Sequence, residues 1–165
     1  MTDTTAIQVV PIPEGFLQRD LGAGFTAING PLYQKDVEGG IQLGLAVEMR
    51  HCNPMKFCHG GMVATFTDML LILTAQTHPN GRGHVMATIS LQIDYLAAAK
   101  LGSWMQGQAQ VLKGTRNMIF TSGLIMADGE PVARVSAVFR IGPEFALAGL
   151  PKSVENTGAT TAAKA

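Results

Sequence analysis

The segment Gly60-Gly-Met-Val-Ala-Thr-Phe-Thr-Asp68-Met-Leu-Leu-Ile-Leu-Thr-Ala-Gln-Thr77 carries one charged side chain in eighteen residues and has no breaker after its second glycine. It is too long for an ordinary strand, so the pattern predicts a helix over 60–77. A helix that is apolar nearly all round must be covered on most sides. What surrounds it reads as strand. Ile41 to Met49 alternates, with Ile41, Leu43, Leu45, Val47 and Met49 opposite Gln42, Gly44, Ala46 and Glu48. Val85 to Tyr95 repeats that period, placing Val85, Ala87, Ile89, Leu91, Ile93 and Tyr95 opposite Thr88, Ser90, Gln92 and Asp94. Trp104–Leu112, Asn117–Met126 and Val132–Ile141 continue the series, separated by Lys113-Gly-Thr-Arg116 and by the hairpin signal Asp128-Gly129. A further strand, about Gly24 to Tyr33, is interrupted by Gly30-Pro31. One helix among many strands gives an α+β fold, a long central helix wrapped by a curved antiparallel sheet.

Composition narrows the range of function. The chain has 165 residues, about one domain's worth, with 12 Lys and Arg against 12 Asp and Glu. That balance gives no electrostatic reason to expect nucleic acid or a membrane surface as partner. A hydrophobic fraction of 47% with 15% charged residues supplies a core and a surplus, for which self-association is the natural use. Neither a signal peptide nor a membrane span is apparent, and a cytoplasmic protein is expected. Residues 1–20 read as an irregular lead-in, 21–150 as one compact domain, and 151–165 as a small-residue tail expected to be disordered. Cys52 and Cys58 sit in one loop, can staple nothing large, and are expected to be buried thiols in a reducing compartment. Flanked by His51 and His59 they invite a metal reading, but the spacing is not that of a zinc knuckle, and no metal is expected. His78 and His84, beside a turn-rich connection, read as surface residues.

Asp68 is the anomaly. Its helical neighbours are Ala64, Thr65, Leu71 and Ile72, so no cation one turn away neutralises it. A carboxylate removed from water without a partner costs several kcal/mol or changes its proton affinity. It either points into a wet crevice or a backbone donor, or serves chemistry. The helix start favours chemistry: Asn53-Pro-Met-Lys-Phe-Cys-His59-Gly60-Gly61 puts two glycines where the first turn presents unbonded amides. Without a Cβ, Gly60 lets a carbonyl approach the backbone, where the N–H and the positive helix end would stabilise an oxyanion. The plainer alternative is a tight loop-to-helix junction. Eight residues separate Gly60 from Asp68, roughly 12 Å along a helix axis, so one carbonyl can meet both only if they come from two copies of the chain. Thr88, on the polar side of its strand, could hold a water, orient a carboxylate, or be an ordinary strand threonine. Lys100, Lys113, Arg116 and Arg140 could contact phosphate or simply be solvated.

The combination Asn53-Pro-x4-His59-Gly60-Gly61-x6-Asp68, followed by a long strand and Ala99-Lys100-Leu101-Gly102, resembles the PaaI-like acyl-CoA thioesterases of the hotdog-fold superfamily. The likeness covers roughly 24–142. It implies the hotdog architecture and a homodimer, often doubled to a homotetramer. It implies hydrolysis of an acyl-CoA to a carboxylic acid and free coenzyme A, with no cofactor. By the same resemblance Gly60 polarises the thioester carbonyl, Asn53 of the same chain lies near the acyl group or attacking water, and Asp68 of the partner is general base or nucleophile, with Thr88 beside it. His59 and Gly61 would line the substrate, and the coenzyme A arm would run over Tyr95 to Lys100 and the turn from Lys113 through Arg116 and Asn117, with Arg140 near. Lys56 departs from the pattern, standing where many relatives have glycine or another small residue. Two rivals remain: a noncatalytic acyl-CoA-binding module, and a hotdog hydratase or dehydratase. The second resembles a pattern with histidine three residues after Asn-Pro, where this chain has Phe57.

Overall fold

The computed structural model describes residues 10–145. It is an α+β fold in which α2 (Gly60–Thr77) lies against a seven-stranded antiparallel sheet. In chain order the elements are β1 (Leu17–Gln18), α1 (Phe25–Asn29), β2 (Tyr33–Val37), β3 (Gly40–Ala46), a 3-10 turn at Met49–His51, α2, β4 (His84–Tyr95), β5 (Trp104–Gly114), β6 (Met118–Ala127) and β7 (Glu130–Glu144). Neighbouring strands run in the order β1-β2-β3-β5-β6-β7-β4. The strand that leaves the helix thus crosses to the far edge and, among the described residues, pairs with β7 alone.

Helix α2 forms over the predicted range and packs against β3, β4, β5, β6 and β7. It buries Met62, Val63, Phe66, Leu70, Leu71 and Leu73 at three- and four-residue spacing. Burying a side chain such as Phe66 contributes about 1.5–3 kcal/mol. The two buried threonines satisfy their hydroxyls within the helix, Thr67 donating to the Val63 carbonyl and Thr74 to that of Leu70, each at 2.8 Å. Gly107 on β5 lets the helix come this close, since a Cβ there would stand 2.5 Å from Leu70 Cδ2.

Several expectations need correction. The segment 24–33 is no strand: Phe25–Asn29 turns as a short helix, Gly30-Pro31 is a cis peptide, and the strand begins at Tyr33. The strand expected to reach Met49 stops at Ala46, and Met49–His51 winds into the 3-10 turn. The lead-in contributes to the packed structure. Phe16 is buried edge-on against Trp104, ring centres 5.1 Å apart, and Leu17–Gln18 pairs with β2. The expected tail at 151–165 lies outside the described residues.

The correction that bears on function is in β4. Its alternation does not run unbroken: pairing with β7 slips between Thr88 and Ser90, so Ile89 is the extra residue of a β-bulge. Before the bulge Met86 and Thr88 face the helix; after it Leu91 and Ile93 do. Thr88 is therefore turned from the polar side onto the helix side, and Ile89 is left 56% exposed on an edge strand.

Candidate active site

The site is built from two features of α2, its N-terminus and its middle. Ahead of the helix, residues 52–58 form a small hairpin. The Asn53 N–H donates to the Phe57 carbonyl and the His59 N–H to that of His51, both at 2.8 Å, while the Lys56 N–H closes a turn onto the Asn53 carbonyl at 2.9 Å. Pro54 occupies the turn position that favours it. Lys56 takes the left-handed conformation, φ 63°, which explains why a small residue suits that position. The hairpin is held to the segment after β4 by Cys58 N–H to the Ala99 carbonyl and Leu101 N–H to that of Lys56. Asn53 Oδ1 is committed to this loop, accepting from the amides of Met55 and Phe57 at 3.0 and 3.2 Å. Only its NH2 remains to face a ligand.

His59 is the N-cap. Its Nδ1 accepts from the Gly61 N–H at 2.9 Å, and its carbonyl accepts from Met62 and Val63. That leaves the Gly60 N–H, exposed and without an acceptor among the described residues, as the free donor of the first turn. Gly60 is held in place from its other side by the Tyr95 hydroxyl, which donates to its carbonyl at 2.9 Å. His59, Gly61 and Tyr95 thus build and fix the helix start.

Two turns further along, half-buried Asp68 accepts a hydrogen bond from the Thr88 hydroxyl, 2.8 Å from Oγ1 to Oδ1. Among the described residues no other side chain pairs with this carboxylate, and no cation bridges it. The β4 bulge makes the contact. Nothing in 84–95 announces it, since no glycine marks the irregularity.

The expected substrate contacts fall into two groups. Lys100, bridged to Phe57, and Tyr95 lie at the N-terminal end of α2. The turn holding Lys113, Arg116 and Asn117 lies at the opposite end, with Gly114 packed on the His78 ring and Asn80 donating to the Thr115 carbonyl. Arg140 sits on β7 beside Ala87 and Met118. Eighteen helical residues, ~27 Å, separate the groups within one chain. His78 and His84 are half-buried rather than superficial: His78 ends the helix, and His84 Nδ1 lies 3.0 Å from the Gly142 carbonyl. Met62 and Phe66 belong to the core.

Beneath the hairpin, His51 is buried and its Nδ1 accepts from the Glu48 N–H, so the neutral ring carries its proton on Nε2, which meets no acceptor in hydrogen-bond geometry among the described residues. Burial first, and the neighbouring Arg50 second, lower its pKa from 6.5. The unfolded chain therefore binds the proton more readily. The neutral ring's contribution is complete above about pH 6.5 and declines as pH falls from there toward the lower folded value. In urea titrations the wild-type protein is expected to lose more stability between pH 7.5 and 5.5 than His51→Gln; equal losses would remove His51 as the cause.

Comparisons with known proteins bear on the fold and on the family. A family model described as the thioesterase superfamily matches residues 55–134. A Pseudomonas aeruginosa protein named as a putative esterase is 27% identical over 79% of this chain and 97% of its own. Human acyl-coenzyme A thioesterase 13 is 32% identical over 51% of this chain, spanning 59% of its own length. Among solved structures, zebrafish thioesterase superfamily member 2 superposes with a TM-score of 0.66 and 26% identity, covering 74% of this chain and 89% of that one. A hypothetical thioesterase of Streptococcus pneumoniae, solved with coenzyme A, gives 0.61 and 18%, covering 68% and 87%. One long central helix packed against a seven-stranded antiparallel sheet is the hotdog architecture. Residues 55–134 thus match the thioesterase superfamily, and putative esterases and acyl-CoA thioesterases are among the proteins to which the chain is similar.

Proposed function

We propose that the protein hydrolyses an acyl-CoA thioester to a carboxylic acid and free coenzyme A, at a site shared between two copies of the chain. The observation that carries this reading is Asp68: a carboxylate in the middle of an apolar helix whose one side-chain partner among the described residues is the Thr88 hydroxyl. A donor at Oδ1 fixes the carboxylate's orientation and leaves Oδ2 to accept a proton. In the reaction Asp68 takes a proton from water as that water adds to the thioester carbonyl. The charge developing on the carbonyl oxygen is met by the Gly60 N–H and the positive end of α2. Collapse of the tetrahedral intermediate expels coenzyme A as thiolate, which is then protonated. Attack by Asp68 itself, through an acyl anhydride, uses the same geometry and differs in where labelled water oxygen appears.

Two copies are needed because ~12 Å separates Gly60 from Asp68 within one helix. Antiparallel pairing of two α2 helices about a twofold brings Gly60 of each to Asp68 of the other. Edge strand β4, whose outer side pairs with no other described strand and which leaves Val85 and Ile89 exposed, offers the place for a second copy to add. The same pairing accounts for the divided substrate contacts. In an antiparallel pair the partner's helix runs nine residues, about 14 Å, past its Asp68. That carries the partner's turn with Lys113, Arg116 and Asn117 outward from the carbonyl, where the nucleotide end of coenzyme A lies. A tetramer would double this dimer without altering the site.

The test is thiol release from short, medium, long and aromatic acyl-CoAs. At least one class is expected to be turned over catalytically. Coenzyme A binding with no thiol release from any class would support the noncatalytic module instead.

A further inference from the structure

Cys52 and Cys58 face each other as an isolated antiparallel bridge at the base of the hairpin that carries Asn53 and leads into Gly60. The two hydrogen bonds that make this bridge, His59 N–H to the His51 carbonyl and Asn53 N–H to that of Phe57, lie on either side of the cysteine pair. The cysteines are therefore a non-hydrogen-bonded pair, with Cα atoms about 4.5 Å apart and side chains on one face of the ribbon. That separation falls within the span a disulfide bridges without backbone movement. Both are free thiols in this structure. We infer that Cys52 and Cys58 form a reversible thiol–disulfide site, a clasp across the neck of the active-site hairpin that takes its oxidising equivalents from a small-molecule disulfide.

The two thiols differ in access. Cys52 is half-buried and its Sγ donates to the Glu48 carbonyl, whereas Cys58 is buried. Burial, and next to it the neighbouring Cys52 sulfur, push the Cys58 thiol up to about 12, and burial alone raises Cys52. Cys52 therefore reacts first. Its thiolate attacks one sulfur of oxidised glutathione, forming a mixed disulfide and releasing one glutathione thiolate. Cys58 then loses its proton and attacks Cys52 Sγ, expelling the second glutathione. The protein pair is oxidised by two electrons and one glutathione disulfide is reduced to two thiols. High thiol pKa values make the exchange slow at neutral pH and faster in base. The small ring stays within one chain and closes the loop that bears Asn53 and the left-handed Lys56.

The full-length protein would be equilibrated with glutathione buffers of increasing oxidised fraction, quenched with acid, alkylated and weighed intact. Alkylatable thiols are expected to fall from two to none in one step, with a mass lower by two hydrogen atoms, no retained glutathione, and a peptide linking Cys52 to Cys58. Cys58→Ser is expected to hold one glutathione on Cys52, which shows that the first step is accessible. Wild-type protein that keeps both thiols, accumulates the glutathione adduct, or joins two chains through sulfur overturns the clasp. None of these readouts involves thioester hydrolysis, so their failure leaves the proposed activity standing.

Discussion

Asp68→Asn is expected to lower turnover by ~10²- to 10⁴-fold, the range supplied by a positioned general base. The substitution is nearly isosteric, and the Asn carbonyl oxygen can still accept from the Thr88 hydroxyl that now bonds Asp68 at 2.8 Å. The fold therefore has no reason to change, and the loss should appear in kcat with KM little moved. Circular dichroism and size-exclusion profiles matching wild type, together with that kinetic loss, are the expected result. Turnover within threefold of wild type would remove Asp68 from the chemistry.

The second large effect concerns one backbone atom. Gly60→Pro deletes the N–H assigned to the oxyanion and puts the proline Cδ in its place. Proline is well suited to the first helical position, where the amide has no intrahelical acceptor, and the Gly60 N–H has none. The residue before proline must be extended, and His59 already is, at φ −62°, ψ 138°. A Cβ on Gly60 would meet the Tyr95 ring at 3.6 Å, an ordinary contact. The helix is thus expected to persist while kcat falls ~10²- to 10³-fold, as when one oxyanion donor is removed elsewhere. Gly60→Ala keeps the N–H and serves as the control for the added Cβ. Loss of activity in the alanine variant equal to that in the proline variant would point to crowding rather than to the amide.

Much of the fold was legible because the period of apolar residues is a direct record of which face is covered. Gly60–Thr77 could not be a strand of that length, and β4 to β7 followed from alternation and from the Asp128-Gly129 turn. What failed did so for local reasons. Val47 continues the alternation of β3 and is buried, but the chain leaves the sheet after Ala46, and periodicity does not register where pairing ends. Phe25–Asn29 has no caps from side chains and no buried residue, so its five residues left no pattern to read. The site was legible where backbone chemistry dictates residue type, as at the glycines of the helix start. The Thr88–Asp68 contact was not, because it depends on a bulge, and one inserted residue exchanges the two faces of a strand. The His59 cap is local to the helix start, whereas the bond from the Tyr95 hydroxyl to the Gly60 carbonyl is tertiary and leaves no trace in spacing.

The most direct measurement mixes two inactive chains. Asp68→Asn and Gly60→Pro proteins, differently tagged, are unfolded together, refolded and assayed against an acyl-CoA that the wild type hydrolyses. If each site takes its amide from one chain and its carboxylate from the other, every mixed dimer holds one intact site, and a statistical mixture recovers about a quarter of wild-type activity. If both groups serve within one chain, mixed dimers isolated through both tags are as inactive as their parents.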